Sequence, residues 1–577
     1  MSGDVLTRAV WQLVQGLADG GVREAVVAPG SRSTPLALAF FRHPRIQVYM
    51  HYDERSAAYF ALGLAEAGSR PVVLVCTSGT AAANFLPAVV EASLTDVPVI
   101  VMTADRPPEL REVGAPQTID QRHLYGTHVR WFYECPLPDP SLVGGSLFAA
   151  TGLRAARQAA TAPRGPVHLN VPLREPLLIG DCPEDIRSVH PQNGSGARTS
   201  VRLDGIVERL SGRRGIVVAG AEDLRAAGPA ILSLAAHLHW PVAADPLSNL
   251  RTPGAPVLCH YDAWLTPPDW RALRLDAVVR FGPPPLSKAL NQGLATVPLT
   301  LIDRAGRLRD PAFQTSDWLS VPDFACLEPL AGSPPPDRVP EPGADAFLQA
   351  DGRAGDALRA AIADLPGEGG PFEGALFFGL AQAAAGYRAL LVGNSMPVRD
   401  LDTFASALGP RIFGQRGASG IDGVVSHGFG ISAALGRTLI IVGDLSFFHD
   451  MNGLLAAHLH ALPVTVLVIN NAGGGIFSFL DQRTALPADE FEALFGTPHA
   501  LDFERAAGVY GVSYERVRTA AAALAAVARH GAGSRCAVVE WRVATRDENL
   551  TFHRAAKDRA RRLALGEEWP DAESRLR

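Results

Sequence analysis

The stretch Leu439-Ile-Ile-Val-Gly-Asp-Leu-Ser446 joins an apolar run to a turn that carries an acidic residue. A second run of this kind, Val464-Thr-Val-Leu-Val-Ile-Asn-Asn-Ala-Gly-Gly-Gly475, follows after a segment with helical periodicity. Two β-rich runs joined by a helix predict a βαβ unit, in which the two strands lie parallel. Because the carboxyl ends of parallel strands meet at one edge of a sheet, we expect Asp444 and Asn471 to lie close together there.

The residues at this edge suit a hard divalent cation held beside a diphosphate. Magnesium prefers oxygen ligands in octahedral geometry, and phosphate oxygens commonly complete its shell. Asp444, the Asn471 amide and the Gly473 carbonyl are suitable ligands. The glycines allow close approach of the backbone, and the helix N-terminus beyond Ser446 offers amide donors. Gly-Asp or Asn-Asn alone is ordinary turn chemistry at a strand end, but both pairs at this spacing favour a cation site.

The alternation of short β-rich runs and helical stretches continues over all 577 residues, which are too many for one hydrophobic core. Two stretches rich in Pro, Gly and Ser, 188–200 and 332–352, have the composition of linkers. We therefore predict an α/β protein with three doubly wound parallel-sheet domains in series. The predicted domains span 1–187, 201–331 and 353–552, with a charged tail over 553–577, and the first and third are expected to resemble each other.

Composition excludes several classes of protein. Hydrophobic residues make up 47% and charged residues 19%, and no apolar run reaches the ~18 residues that cross a membrane, so membrane insertion is not expected. A net charge of −6 without a long basic run disfavours nucleic acid as a partner. The N-terminus carries Asp4 and Arg8 and lacks the layout of a secretory leader, which predicts a cytoplasmic protein. Scattered cysteines without a C-x-x-C pair agree with that compartment.

A second polar cluster lies in the first domain, where Glu54 precedes the helical stretch 57–67. Together with the Gly-Asp and Asn-Asn pairs, this cluster resembles the thiamine diphosphate enzymes, although Leu445 stands where glycine is usual in the wider superfamily. The resemblance implies that Glu54 hydrogen-bonds N1′ of the cofactor aminopyrimidine, and that Ile421 keeps the two cofactor rings in a V. From the residues alone, Asp53 and Glu54 could instead serve only to favour the helix N-terminus electrostatically.

Because Glu54 and Asp444 lie in different domains, one cofactor must bridge a first and a third domain, which in this superfamily come from two subunits. The resemblance therefore implies a homo-oligomer, a dimer or a tetramer, with active sites at the subunit interface. It implies thiamine diphosphate with Mg²⁺, or Mn²⁺ in its place, bound by Asp444, Asn471 and Gly473. The implied cofactor-binding residues are Glu54, Thr80, Ser395, Met396, Ile421, Gly443, Asp444, Leu445, Ser446, Asn471, Gly473, Gly474, Ile476 and Phe477.

Six blocks in matching order over nearly the whole chain resemble one family, the 2-succinyl-5-enolpyruvyl-6-hydroxy-3-cyclohexene-1-carboxylate (SEPHCHC) synthases of menaquinone biosynthesis. The resemblance implies decarboxylation of 2-oxoglutarate and conjugate addition of the succinyl semialdehyde carbanion to isochorismate, with release of CO₂. The blocks are Ala28-Pro-Gly-Ser-Arg-Ser-Thr-Pro35, Thr77-Ser-Gly-Thr80, Ala104-Asp-Arg-Pro-Pro-Glu-Leu-Arg111, Gly393-Asn-Ser395, Arg416-Gly-Ala-Ser-Gly-Ile-Asp-Gly423 and Gly473-Gly-Gly-Ile-Phe477.

Both implied substrates are dicarboxylates, whose recognition needs fixed cations such as arginine. Of 53 basic residues only Lys288 and Lys557 are lysines. Ala289 stands where many relatives carry a basic residue, which leaves the contribution of the middle domain open. By motif matching, the residues implied to contact substrate are Ser31, Arg32, Arg106, Gln117, Lys288, Ser395, Arg399, Arg416 and Phe477, of which Arg32, Gln117 and Arg399 are implied to be catalytic together with Glu54.

Three other interpretations stay open from the residues alone. Another thiamine diphosphate carboligase or 2-oxo acid decarboxylase, such as an acetolactate synthase-like enzyme, would share the cofactor site. Smaller substrates need fewer cations, however, and the chain lacks the His-His pair of many simple decarboxylases. A nucleotide-binding oxidoreductase is disfavoured because no convincing G-x-G-x-x-G lies at a strand–helix junction. A non-catalytic protein on the same scaffold is disfavoured because Glu54, Asp444 and Asn471 are all present.

Overall fold

The computed structural model describes residues 2–186, 188, 200–304, 306–332, 343–365 and 371–567. Within these ranges the chain forms three β-sheets, one after another along the sequence, each interleaved with helices. Strands within every sheet pair in parallel. The predicted α/β class with three doubly wound domains in series is therefore confirmed.

The first sheet has six strands in the order β2-β1-β3-β4-β6-β5. Its strands are β1 (Glu24–Val27), β2 (Gln47–Met50), β3 (Val72–Cys76), β4 (Val99–Asp105), β5 (Phe132–Glu134) and β6 (Val167–Pro172). The helices of this part are α1 (Ser2–Asp19), α2 (Thr34–Arg42), α3 (Glu54–Gly68), α4 (Thr80–Ala83), α5 (Leu86–Leu94), α6 (Pro140–Val143) and α7 (Leu147–Ala160). Strands β1, β3 and β4 are fully buried and mainly apolar, as is usual in a parallel sheet covered on both faces.

The middle sheet has five strands in the order β11-β10-β9-β7-β8. They are β7 (Gly215–Ala219), β8 (Val242–Ala244), β9 (Ala277–Phe281), β10 (Leu299–Arg304) and β11 (Thr315–Val321). The helices are α8 (Asp204–Leu210), α9 (Gly228–Leu238), α10 (Tyr261–Trp264), α11 (Pro267–Ala272) and α12 (Lys288–Gly293).

The third sheet has six strands in the order β13-β12-β14-β15-β17-β16. They are β12 (Ala389–Val392), β13 (Arg411–Phe413), β14 (Thr438–Gly443), β15 (Val464–Asn470), β16 (Ser513–Val517) and β17 (Ala537–Arg542). The helices are α13 (Ala344–Ala363), α14 (Glu373–Ala383), α15 (Met396–Phe404), α16 (Val424–Leu435), α17 (Asp444–His449), α18 (Leu455–His460), α19 (Gln482–Ala485), α20 (Ala488–Phe491), α21 (Phe503–Val509), α22 (Ala520–Gly531) and α23 (Arg546–Ala564).

The first and third sheets have the same strand order when each is numbered from its own first strand, so the expected similarity between these domains is present in their topology. In both sheets the first strand lies between the second and the third. Connections therefore leave the first and third strands in opposite directions, which opens a crevice outside their carboxyl ends. This topological switch point falls at β1 and β3 in the first sheet and at β12 and β14 in the third.

Helices α3 and α16 join the first and third domains at very short range. A Cβ atom on Gly63 would lie 2.1 Å from the carbonyl oxygen of His427, and one on Gly430 would lie 2.0 Å from that of Phe60. Glycine at both positions therefore lets the two helix backbones touch. The first residue of α3 is Glu54, so this packing also fixes the position of that carboxyl group relative to the third domain.

Two expectations about the connections need correction. The stretch 332–352 is not a linker throughout, because α13 begins at Ala344, where apolar side chains start to repeat at helical spacing and become buried. The boundary at 553 lies inside α23, so the charged tail continues a helix whose inner face is buried. The rest of the two predicted linkers, 189–199 and 333–342, and the end of the tail, 568–577, lie outside the described residues.

The helix expected after Ser446 is also divided, because α17 begins at Asp444 and a turn separates it from α18. None of the described helices is long and apolar enough to cross a membrane.

Candidate active site

The structure brings Asp444 and the loop after β15 together at the carboxyl edge of the third sheet. Asp444 is buried at the end of β14, which pairs with β15 along its whole length. Its Oδ1 accepts a hydrogen bond from the Leu445 backbone N–H at 2.7 Å, and its Oδ2 accepts one from the Gly473 N–H at 3.1 Å. Burial raises the pKa of the Asp444 carboxyl, while the nearby His499 opposes that rise.

Asn471 has a buried polar atom that no described protein group satisfies. Its Nδ2 donates to Glu373 Oε1 at 3.1 Å, whereas its Oδ1 is buried without a hydrogen-bond partner among the described residues. A buried acceptor without a partner costs about 1–3 kcal/mol, so such an atom calls for a ligand, a metal ion or an ordered water. An amide oxygen beside the Asp444 carboxylate and the Gly473 backbone is a donor set that fits a hard divalent cation.

The lack of a side chain at the glycines of this edge matters for two different reasons. A Cβ atom on Gly443 would meet only open space within 4 Å, so the surface beside Asp444 can admit a ligand. A Cβ atom on Gly473 or Gly474 would instead lie 2.1 or 2.2 Å from the carbonyl oxygens of Gly496 or Phe495. Glycine is therefore required at both positions because a neighbouring turn packs against them. This reason adds to the approach of a diphosphate, which was the reason that we expected.

Four ionisable residues of this region, Glu373, Asp400, His499 and His553, were not predicted from the sequence. Glu373, the first residue of α14, is 1% exposed, and burial followed by the neighbouring Asp400 raises the pKa of its carboxyl to about 8. His553 Nε2 lies 3.0 Å from Asp400 Oδ1. His499 Nε2 lies 3.3 Å from Asp444 Oδ2. Contacts between residues so distant in the sequence leave no local pattern that could have indicated them.

Arg399 and Arg416 lie on the third domain, Arg399 on α15 after β12 and Arg416 after β13. Arg399 Nη1 donates to the Ser395 carbonyl at 2.6 Å, and Arg416 Nη1 donates to Asn394 Oδ1 at 2.7 Å. The surrounding protein and then the charge of Arg416 lower the pKa of Arg399, although its side chain reaches the surface. Ser395 itself has φ 69°, a left-handed conformation that is strained for serine and is common at functional sites.

The first domain gathers its implied residues at the equivalent crevice. A Cβ atom on Gly30 would lie 2.3 Å from Thr77 Cβ, so the loops after β1 and β3 touch. Arg106 Nη1 donates to Ser78 Oγ at 3.1 Å, and Gln117 Nε2 donates to the Ser78 carbonyl at 3.0 Å. Burial and then the charge of Arg32 lower the pKa of Arg106, which places the two guanidinium groups near each other.

Arg32 differs from the other arginines of the site because it already has an acidic partner. It is 5% exposed, donates to the Leu173 carbonyl at 3.0 Å, and lies 3.2 Å from Glu175 Oε1. Its Nε is buried without a hydrogen-bond partner among the described residues. A substrate carboxylate would therefore have to compete with Glu175 for this side chain.

Glu54 lies apart from Asp444 and the Asn471 loop of its own chain, the edge of the third sheet that is implied to hold the diphosphate. Asp53 caps α3 by accepting the Ser56 N–H at 3.0 Å, so Glu54 begins the helix. It lines a cavity with Tyr52, Asn84, Asn452 and Tyr510, and neither Asp444 nor Asn471 lines that cavity. A single chain therefore does not bring the two halves of the implied cofactor site into one pocket.

The other implied residues lie at or near the two edges, with one exception. Ser31, Thr80 and Ile421 are exposed, Met396 and Ser446 are buried, and Leu445, Ile476 and Phe477 are partly buried. The Phe477 ring packs against Phe495 with centroids 5.4 Å apart. Lys288 is exposed at the start of α12 and, in the described part of the chain, makes no hydrogen bond or ion pair with another candidate.

Comparison with known proteins agrees with this arrangement. Residues 8–124 match the N-terminal and residues 407–541 the C-terminal TPP binding domain of thiamine pyrophosphate enzymes, and residues 196–320 match the middle domain of the same enzymes. TPP is the cofactor called thiamine diphosphate above. The N-terminal match contains β1 and β3 of the first crevice, whereas the C-terminal match contains β14 of the third crevice but begins after β12.

Relatives that match over nearly their full length identify the family more specifically than the domain matches do. The SEPHCHC synthases of Geobacillus thermodenitrificans and Chloroflexus aurantiacus are 44% and 43% identical to this chain, and each match covers 96% of both sequences. The SEPHCHC synthase of Listeria innocua is 39% identical over 96% of this chain and 97% of its own length. The chain belongs to the family of the 2-succinyl-5-enolpyruvyl-6-hydroxy-3-cyclohexene-1-carboxylate synthases, which are thiamine diphosphate enzymes.

Proposed function

We propose that the protein joins 2-oxoglutarate and isochorismate to form 2-succinyl-5-enolpyruvyl-6-hydroxy-3-cyclohexene-1-carboxylate, with loss of CO₂, as a step of menaquinone biosynthesis. One bond to a carboxylate breaks, and one carbon–carbon bond to isochorismate forms. We further propose that it acts in the cytoplasm as a homo-oligomer, with a first domain over 1–187, a middle domain over 201–331, and a third domain that begins with α13 at Ala344 and includes α23.

The observation that carries this proposal is that three arginines at the two crevices have no acidic partner for their guanidinium groups among the described residues. In the described residues, the guanidinium groups of Arg106, Arg399 and Arg416 donate only to neutral oxygens and have no carboxylate within ion-pair distance. Burial is the largest cause that lowers the pKa of each of them. A partly desolvated cation without a partner is costly unless an anion binds it, and dicarboxylate substrates supply such anions.

The cofactor assignment rests on the donors at the third-domain edge. Asp444, Asn471 and the Gly473 carbonyl would hold Mg²⁺, or Mn²⁺ in its place, and the open space beside Gly443 would admit the diphosphate. When bound, thiamine diphosphate supplies an electron sink for the breaking bond. Asn471 Oδ1 would then gain the partner that it lacks.

The side chains of the protein would bind and orient the reactants. Glu54 would hydrogen-bond N1′ of the aminopyrimidine and so exchange the proton that activates the cofactor. Arg399 and Arg416 would fix the carboxylates of one substrate, and Arg32 and Arg106 those of the other. Phe477, packed against Phe495, would cover the reacting atoms and exclude water.

Loss of isochorismate absorbance tests the reaction. Purified protein should consume isochorismate only when thiamine diphosphate, Mg²⁺ and 2-oxoglutarate are all present, with CO₂ released in equal amount. We expect Arg399→Gln to raise the KM of one dicarboxylate by about 10-fold or more, because it removes a charge-assisted hydrogen bond. No loss of isochorismate by folded, cofactor-bound protein would refute the proposal and favour another carboligase.

Arg437→Gln is the matched control for this experiment. Arg437 lies beside the opposite end of β14, and within the described part of the chain its guanidinium group donates only to the backbone carbonyls of Gly533 and Gly386. Arg437→Gln removes one positive charge, as Arg399→Gln does, but the changed residue does not touch the carboxyl edge of the sheet. Its KM values should therefore stay close to those of the wild type.

A further inference from the structure

We propose that Glu373 is a positioning residue for the divalent cation, because it orients Asn471 so that the amide oxygen faces the metal. The inference rests on the proposed metal site formed by Asp444, Asn471 and Gly473. It adds a residue that belongs to none of the motifs, on a helix that follows the middle domain in the sequence.

The geometry of the Asn471 amide supplies the first step. An amide group has one end that donates and one that accepts, and the two ends can exchange by a half-turn of the side chain. Glu373 Oε1 accepts the Asn471 Nδ2–H at 3.1 Å, which assigns the donating end to Glu373. The accepting end, Oδ1, then points the other way and stays buried without a partner. A residue at 373 without an acceptor would allow the NH₂ group to face the cation instead.

Glu373 is itself held firmly. Its backbone N–H donates to Asn549 Oδ1 at 3.3 Å, and its carboxyl group lies against that of Asp400. Asp400 in turn lies beside His553, one helical turn after Asn549 on α23. The two buried side chains of α23 thus support the two carboxyl groups that stand behind Asn471.

A purely structural role does not explain this arrangement. Burial of two adjacent carboxyl groups costs stability, and apolar side chains would pack the same space more favourably. Such costly clusters are typical of functional sites. The groups also connect the metal edge to α15, the helix that begins beside Ser395 and carries Arg399.

Two substitutions of Glu373 separate positioning from packing. Glu373→Gln keeps an oxygen for Asn471 and places its N–H beside the Asp400 carboxylate, so it should bind metal within a few-fold of the wild type. Glu373→Met keeps the length of the side chain but has no such acceptor. It should bind metal about 10- to 100-fold more weakly, which is the range for loss of an outer-shell partner. Glu373→Ala, which cannot overpack the site, replaces Glu373→Met if that variant does not fold.

The measurement is the dissociation constant of Mn²⁺, taken from the free Mn²⁺ signal in electron paramagnetic resonance. Full-length protein is titrated in the presence of saturating thiamine diphosphate. Thermal unfolding of each variant, with and without Mn²⁺ and cofactor, is recorded in parallel. Positioning lowers the stabilisation gained on adding metal, whereas a packing role lowers the unfolding temperature equally in both conditions.

Asp351→Asn is the matched control, since Asp351 is also a buried carboxylate near the third domain. It accepts the backbone N–H groups of Cys259 and His260 and the Trp264 Nε1–H, none of which touches the metal edge. This variant should lose stability but keep the Mn²⁺ affinity of the wild type. Equal Mn²⁺ affinity of Glu373→Met and wild type, with Asp444→Ala impaired, would overturn the inference alone. Equal affinity of Asp444→Ala and wild type would overturn the metal site and the inference together.

Discussion

His51 is a buried histidine whose effect on stability has a definite sign. Its side chain is 1% exposed, packs against Phe60 with ring centroids 4.5 Å apart, and has no partner for Nε2 among the described residues. Burial, and then the nearby His460, lowers its pKa from 6.5 to about 3. Below pH 6.5, the unfolded chain binds a proton at His51 that the folded protein does not bind. The folded state therefore loses about 1.4 kcal/mol per pH unit as the pH falls from 6.5 towards 3.

We predict that His51→Leu removes this loss. Between pH ~7.5 and ~5, the unfolding temperature of the variant should fall less than that of the wild type, because only the wild type protonates at this position on unfolding. Differential scanning fluorimetry of both proteins over this range measures the difference. Leu64→Val, an equally buried change that does not titrate, should show a constant difference from the wild type. Parallel curves for His51→Leu and wild type would contradict the prediction.

Single residues also mark the limit of what the sequence could predict at the site. Asp444 and Asn471 follow strands, so the rule for parallel sheets predicts the edge that they share, whereas Arg399 and Arg416 were implied only by the family resemblance. Glu373 reaches Asn471 from a helix 98 positions earlier in the chain, and nothing in the local sequence sets it apart from a solvated first-turn glutamate. Its role becomes visible only when the contacts of the Asn471 amide are known.

At the scale of elements, the strands were easier to predict than the connections. Strands β3, β7, β9 and β12 coincide with their apolar runs, because a buried parallel strand needs an unbroken run and a turn at its end. Helix α13 was missed in part because the preceding Pro- and Gly-rich composition hid its start at Ala344. The contact between α3 and α16 was not predicted, since glycines within helices give no indication of the helix that they face.

The contact between α3 and α16 leads to a prediction about two helical glycines. In Gly63→Ala the new Cβ would meet a backbone oxygen of α16, which cannot move aside as a side chain would. We expect a loss of about 3 kcal/mol of unfolding free energy, at the upper end for overpacking. In Gly352→Ala, on α13, the new Cβ meets open space within 4 Å, and helix propensity should add up to about 1 kcal/mol.

Thermal unfolding of the two glycine variants, compared with the wild type, measures these opposite effects. The unfolding temperature should fall for Gly63→Ala and stay level or rise for Gly352→Ala. An unfolding temperature for Gly63→Ala equal to that of the wild type would show that the two helices do not touch at Gly63 in solution.

At the scale of the whole molecule, the two halves of the proposed cofactor site do not share a cavity within one chain. Neither Asp444 nor Asn471 lines the cavity that Glu54 lines, while the glycine contacts between α3 and α16 hold the first and third domains in fixed orientation. A large movement of Glu54 towards Asp444 within one chain would have to break that close packing. A second copy of the chain can supply the missing half without any such movement, and a two-fold axis then forms two equal sites.

Complementation between two inactive variants tests this arrangement. Glu54→Gln and Asp444→Asn should each be inactive, because the first lacks the proton-exchanging carboxylate and the second lacks a metal ligand. If each site takes Glu54 from one chain and Asp444 from another, a hetero-dimer carries both substitutions in one site and neither in the other. Co-expression with two different affinity tags, followed by purification on both, should then yield about half of the wild-type turnover per dimer. Each variant co-expressed with itself is the control and should stay inactive. A folded hetero-dimer without recovered activity would place the complete site within one chain, and would mean that α3 and α16 separate when the cofactor binds.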